Sequence, residues 1–167
     1  MIRYFRFIFM APGVIVHELA HAFFCWLFGV KIYNINLLRF NRIAGYVTHA
    51  EPAGFFSSFF ISFGPLIINS ALAIWLFAQV GWVYDWRTLL YLWLGIALGF
   101  QAIPSTGDAQ SLWQNANHNF LRRPLVILFY PLVLLLYILN FLKRFYIDLI
   151  FVLALLYVAQ KYFSQIL

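Results

Sequence analysis

The chain has 167 residues, of which 65% are hydrophobic, 22% aromatic and only 10% charged. Soluble domains carry about 25% charged residues, so this composition excludes an ordinary water-soluble domain and predicts an integral membrane protein. The net charge is +6, but Lys and Arg occur in ones and twos between apolar stretches. This spacing favours anchors at lipid headgroups over a nucleic-acid-binding patch, so we expect no nucleic-acid partner.

Five apolar stretches are candidates for membrane-spanning helices, which need about 20 residues each. They cover approximately residues 4–28, 55–82, 89–103, 125–142 and 145–162. Gly64-Pro65 lies inside the second stretch and predicts a kink or a break. The sequence has no internal repeat or linker. It therefore predicts an all-α, multi-pass membrane protein with about five transmembrane helices and one domain over residues 1–167.

Two segments between the apolar stretches have a different pattern. Apolar and polar residues alternate around Ile32 to Asn36, and a second run with β propensity follows Asn41. This pattern predicts a short β-hairpin between the first two helices, with its turn near Asn41-Arg42. The polar stretch 105–119 predicts a loop at the membrane face that contains a short helix.

The first apolar stretch contains an HExxH motif, His17-Glu18-Leu19-Ala20-His21. Residues four apart lie on the same face of an α-helix, so both imidazoles can bind one metal ion. Glu18 projects about 100° away, where it can reach an attacking water without being a ligand. Because burial of these groups in lipid is costly, a metal site is favoured over simple hydrogen bonding between helices.

A catalytic zinc site has three protein ligands, so the two His residues need one more. The remaining candidates are His49, Glu51, Asp85, Asp108, His118 and Asp148. Counting membrane crossings places Asp85 and Asp148 away from the motif. Pro104 and Gly107 allow the chain to unwind and turn Asp108 inward, which favours Asp108 over His49, Glu51 and His118. The alternative is that Asp108 only caps the helix that follows.

These residues resemble the motifs of the site-2 protease family of intramembrane zinc metalloproteases. HELAH corresponds to that family's HExxH, and Gly64-Pro65 with Asn69 is similar to its Gly-Pro motif. Residues 103–109 (IPSTGDA) lie where the family has a Pro-containing LDG motif whose Asp binds zinc. Asn69 comes one residue later than in the family pattern, and only the Asp of LDG is kept. The resemblance covers about residues 5 to 115 and leaves the additional helices at 124–163 unmatched.

The resemblance implies an intramembrane zinc endopeptidase, a minimal member without PDZ or CBS domains. Its substrates would be membrane proteins, cut in or near a transmembrane helix. One Zn²⁺ per chain would be held by His17, His21 and Asp108, with Glu18 as the general base. The 30–48 region would correspond to a β-hairpin that lies beside the active site in this family.

Two further positions are candidates for contact with substrate. The resemblance implies an active-site role for Asn69. We expect His49 to face substrate or to have a structural role, in preference to binding metal.

Two other functions are compatible with these residues. The departures from the family motifs leave open a catalytically inactive zinc-binding scaffold that binds transmembrane helices. A metal transporter is a third possibility, but the sequence has no second intramembrane site to relay the ion. The oligomeric state does not follow from the sequence.

The distribution of positive charge does not decide the orientation in the membrane. The side with the predicted hairpin has six Lys and Arg residues: Lys31, Arg39, Arg42, Arg122, Arg123 and Lys161. The opposite side has five: Arg3, Arg6, Arg87, Lys143 and Arg144. This split is too even for the positive-inside rule. The resemblance implies a site open to the cytosol and an outside N-terminus, and we expect the cytoplasmic membrane of a prokaryote.

Overall fold

The computed structural model describes residues 2–38, 45–52, 54–81, 85–120 and 124–163. Within these ranges the chain is mostly helical, with one antiparallel pair of strands. The α-helices are α1 (Ile2–Leu27), α2 (Phe55–Ala78), α3 (Trp86–Phe100), α4 (Thr106–Phe120), α5 (Tyr130–Leu142) and α6 (Ile147–Tyr162). The strands are β1 (Ile32–Asn36) and β2 (Tyr46–His49), and 3₁₀ turns cover Pro124–Phe129 and Lys143–Phe145. The helical class and the hairpin are confirmed.

The hairpin follows α1 directly and packs against it. β1 and β2 pair with Ile35 opposite Val47 and Asn36 opposite Tyr46. The predicted turn at Asn41-Arg42 lies outside the described residues. The two strands therefore lie beside the helix that carries the HExxH motif.

Two helical segments, Phe7–Leu27 and Phe55–Ala78, are long and apolar enough to cross a membrane. They run antiparallel, because Asn69 Nδ2 donates to Gly13 O while His21 Nδ1 donates to Ile61 O further along α1. The structure does not confirm five crossings; the remaining three stay a prediction. Nor does α2 break at Pro65, because the helix is continuous through it.

The segment after Pro104 is more regular than predicted. Instead of a loop with a short helix, α4 is a helix of 15 residues. Its buried residues Ala109, Leu112 and Ala116 pack in one apolar cluster with Phe55 of α2. Their spacing of three and four is helical, so this apolar stripe was present in the sequence beneath the polar composition.

The last two helices pack on different parts of the fold. α5 packs against α4, whereas α6 packs against α2 and α3. Between them, Tyr146 has a left-handed backbone, with φ of 59°. At the far end of α6, Gln160 Nε2 donates to Phe77 O at 2.6 Å and to Val80 O at 3.2 Å. α6 therefore ends beside the end of α2.

Candidate metal centre

Three side chains from two distant parts of the chain converge inside the fold. His17 Nε2 lies 3.2 Å from His21 Nε2, and His21 Nε2 lies 3.3 Å from Asp108 Oδ1. The third separation, between His17 Nε2 and Asp108 Oδ2, is 3.9 Å. Two ligands of a tetrahedral ion at about 2.0–2.2 Å are roughly 3.3–3.6 Å apart. The three donors are thus close enough together to hold one metal ion.

The hydrogen bonds of the two imidazoles show which nitrogen faces that centre. His17 Nδ1 lies 2.6 Å from Gln101 O, and His21 Nδ1 lies 2.8 Å from Ile61 O. A carbonyl only accepts, so each Nδ1 carries the proton and each Nε2 presents a lone pair. Two lone pairs at 3.2 Å repel unless a proton or a metal cation lies between them. A cation that imidazole and carboxylate ligands suit, such as zinc, fits these residues.

Both carbonyls that accept from the imidazoles lack an ordinary helical partner. In α2, Ile61 is four residues before Pro65, which has no N–H to donate to it. Gln101 is the residue that ends α3, so its carbonyl lies beyond the helical hydrogen-bond ladder. Gly64 adds to this arrangement because a Cβ there would collide with the Phe24 ring of α1. The Gly-Pro pair therefore lets α2 approach α1 and frees a carbonyl for His21.

Asp108 caps α4 and also faces the two imidazoles, so it combines the two roles that the sequence left open as alternatives. Ser105 N donates to Asp108 Oδ2 at 2.7 Å, and Asp108 N donates to Ser105 Oγ at 3.2 Å. This reciprocal pair is a capping box at the start of α4. The other carboxylate oxygen, Oδ1, faces His21. Capping therefore orients the carboxylate toward the imidazoles.

The three side chains open onto a cavity of about 340 Å³. Glu18 lines the same cavity and is only 7% exposed. The cavity is bordered by residues 45–49, which include His49, and by the turn after α3. His49 Nδ1 donates to Ala50 O, and His49 is not part of the three-residue cluster. Glu18 and the cluster thus line the same cavity.

Asn69 is placed elsewhere. It is fully buried and is not among the residues that line the cavity. Its Nδ2 donates to Gly13 O at 3.2 Å and to Leu98 O at 3.3 Å. The amide therefore joins α1, α2 and α3, and a role for Asn69 in substrate binding stays a prediction.

The remaining acidic and His candidates also lie outside the cluster. Asp85 caps α3 by accepting from Arg87 N at 3.1 Å. Among the described residues, neither Glu51 nor His118 lines the cavity.

One residue that the sequence placed on the opposite face lies at the site. Lys143 lines the cavity with Asp108, so the position assigned to it by counting crossings was wrong. The apolar run before it was long enough to be counted as a crossing, which moved Lys143 to the far face. The backbone acceptors of the two imidazoles were also missed; Pro65, four residues after Ile61, was the one sequence signal for the first of them, and Gln101 O had none.

The N-terminal part of the chain matches a known protein family. Residues 2–105 match the family described as Peptidase M50B-like. The chain belongs to this family. No curated protein and no solved structure matches it. The match confirms the resemblance to the site-2 proteases, and membership of this family implies a membrane-embedded metalloprotease.

The matched residues include both His residues and Glu18 but end before Asp108. The position of Asp108 beside the two imidazoles is therefore an observation of the structure alone. α4, α5 and α6 also lie beyond the match.

Proposed function

We propose that this member of the Peptidase M50B-like family is an intramembrane zinc endopeptidase. It hydrolyses peptide bonds in or near the transmembrane segments of other membrane proteins. The observation that carries the proposal is the convergence of His17, His21 and Asp108, whose donor atoms all lie within 4.8 Å of one another, beside Glu18 in one cavity. We place the protein in the cytoplasmic membrane of a prokaryote as a multi-pass protein with its N-terminus outside.

The residues of the cavity divide the reaction between them. His17, His21 and Asp108 would hold one Zn²⁺, which acidifies water and polarises a carbonyl when bound. The Glu18 carboxylate accepts a proton from the attacking water as its oxygen bonds to the peptide carbon. Glu18 then gives the proton to the amide nitrogen as the C–N bond breaks.

The substrate has to be extended before it can be cut, because a helix hides its carbonyls in its own hydrogen bonds. β2 supplies Tyr46, Val47 and His49 to the cavity wall. We propose that a free edge of the hairpin binds the unwound segment by strand addition. Proline substitutions placed singly along both strands should then reduce cleavage. Undiminished cleavage by all of them would contradict this mode of binding.

The first experiment is a measurement of metal content per chain by elemental mass spectrometry on detergent-purified protein. We expect about one zinc in the wild type, and a loss or a large decrease in His21→Ala and in Asp108→Ala. If only His21→Ala loses zinc, the third ligand is another residue, such as His49, Glu51 or His118. A metal-free wild type, purified without chelators, would contradict the proposal.

Glu18→Gln separates the protease from an inactive scaffold. The amide cannot accept the proton, so we expect zinc content to be unchanged and cleavage of a membrane substrate to be abolished. If Glu18→Gln instead leaves the phenotype unchanged and still binds zinc and transmembrane helices, the result would support the scaffold. The scaffold alternative is motivated by the two departures from the family motifs, the one-residue offset of Asn69 and the replacement of LDG by Gly107-Asp108-Ala109.

A further inference from the structure

The turn at 101–105, between α3 and α4, connects two of the three proposed ligands. At its first residue, Gln101 O accepts from His17 Nδ1 at 2.6 Å. At its last residue, the Ser105 backbone and hydroxyl each donate to Asp108 Oδ2 at 2.7 Å. The relative orientation of His17 and Asp108 therefore depends on how rigidly this turn is held.

The middle of the turn contains two carbonyls that need donors from outside. Ile103 is 2% exposed and Pro104 is also buried, and a buried carbonyl without a donor is strongly unfavourable. Lys143 Nζ donates to Ile103 O at 3.0 Å and to Pro104 O at 3.4 Å. Asn140 Nδ2 donates to Pro104 O at 3.1 Å. Both donors come from the end of α5 and the 3₁₀ turn that follows it.

The hydrogen bonds from Lys143 and Asn140 are of a kind that can hold the turn rigidly. A Lys ammonium has three donors and makes stronger, charge-assisted hydrogen bonds to carbonyls. Asn140 is itself held, because its Nδ2 also donates to Leu136 O at 2.9 Å within α5. Arg144, the next residue after Lys143, is exposed. The two neighbouring cations therefore differ in what they contact: Lys143 donates hydrogen bonds to the turn, and Arg144 lies at the surface.

We propose that Lys143 and Asn140 are positioning residues of the metal centre. By holding the carbonyls of Ile103 and Pro104, they fix the turn that brings His17 and Asp108 together. The C-terminal helices, which lie beyond the family match, thereby complete the site. This inference rests on the proposed function, because it requires that the three ligands bind zinc.

The test measures zinc affinity of the full-length protein by competition with a chelator. Removal of a group bonded directly to a metal ligand typically weakens affinity by about 10- to 100-fold. Lys143 and Asn140 act one contact further out, so we expect the lower end of this range, about 10-fold, for Lys143→Met and Asn140→Leu. Lys143→Arg keeps a cationic donor and should be closer to the wild type than Lys143→Met. Arg144→Met is the matched control, since it removes an adjacent positive charge that does not touch the turn, and it should bind zinc as the wild type does.

A second readout separates positioning from a merely structural role. Co²⁺ replaces zinc, and its visible absorption reports the ligand geometry. We expect Lys143→Met and Asn140→Leu to alter this spectrum while Arg144→Met leaves it unchanged. Lower thermal stability with wild-type zinc affinity and wild-type Co²⁺ absorption would overturn the inference. If Lys143→Met does not fold, Asn140→Leu alone decides between these outcomes.

Failure of the inference can be told from failure of the proposed function. A wild type that binds no zinc overturns both. A wild type that binds zinc, with unchanged affinity in Lys143→Met and Asn140→Leu, overturns only the positioning role.

Discussion

At the scale of single residues, the metal centre depends on hydrogen bonds that leave Nε2 of both His residues and Oδ1 of Asp108 facing inward. Each imidazole gives its Nδ1 proton to a backbone carbonyl, and Asp108 uses one oxygen for Ser105. Such contacts fix the direction of a ligand and raise its affinity for metal. For the two buried imidazoles, burial strengthens the effect because little water competes for their hydrogen bonds.

Ser105→Ala tests the capping box at this scale. The variant loses the hydroxyl bonds at the start of α4, which should cost about 1 kcal/mol of helix stability. Because Asp108 Oδ2 also loses a donor, we expect zinc affinity to fall by roughly tenfold, measured by chelator competition. Ser105→Thr keeps a hydroxyl and should retain most of the affinity. Ser57→Ala is the control. Ser57 Oγ donates to Gly54 O at the start of α2, and Ser57 does not line the cavity. A similar loss of zinc affinity in Ser57→Ala would contradict a specific role for the Ser105 hydroxyl.

At the scale of helices, the site is built where helical hydrogen bonding is interrupted. Pro65 interrupts it within α2, and the end of α3 interrupts it before Pro104. Each interruption provides a carbonyl for one imidazole. Close contact between helices is equally necessary: a Cβ at Gly13 of α1 would collide with Ala97 O of α3. The helices therefore approach nearly to backbone contact beside the metal ligands.

Pro65→Ala should have opposite effects on the helix and on the site. Alanine is favoured over proline inside a helix by about 3 kcal/mol, and its N–H can bond to Ile61 O. That bond competes with His21 Nδ1 for the same carbonyl. We therefore expect zinc affinity to decrease although the helix is more regular, as measured by chelator competition and circular dichroism. Unchanged or tighter zinc binding would show that the free carbonyl does not matter.

Gly107→Ala is a suitable control for substitutions near the ligands. A Cβ at Gly107 would lie 3.5 Å from Ser105 Oγ, an ordinary contact. It changes a residue next to Asp108 without touching either interrupted helix. We expect its zinc affinity to match that of the wild type.

At the scale of the whole molecule, the ends of the helices fall into two groups. Asn115 of α4 donates to Pro52 O near the start of α2, whereas Gln160 of α6 donates to Phe77 O near its end. Trp93 of α3 donates to Phe9 O in the first half of α1. α4 therefore extends toward the hairpin end, and α6 ends at the opposite end. This arrangement differs from five independent crossings, in which the end of the last helix would lie on the hairpin side.

Cysteine labelling tests this arrangement. In a background with Cys25→Ala, single variants Trp86→Cys, Phe163→Cys and Tyr33→Cys place a thiol at exposed positions. We expect an impermeant maleimide to reach Trp86→Cys and Phe163→Cys from one side of the membrane and Tyr33→Cys from the other. Labelling of Phe163→Cys together with Tyr33→Cys would favour five crossings.

The sequence by itself predicted the membrane class and determined the helical fold with its hairpin and the HExxH motif, because these depend on composition and on local periodicity. It also predicted Asp108 beside the His pair, through Pro104 and through the family resemblance, although Gly107 lies within α4 and does not unwind the chain as predicted. The tertiary structure alone decided that Asn69 lies away from the cavity and that Lys143 lies beside it. It also decided which carbonyls orient the two imidazoles. The physical reason is that these features depend on how helices distant in the sequence pack against one another, and local sequence patterns do not show that packing.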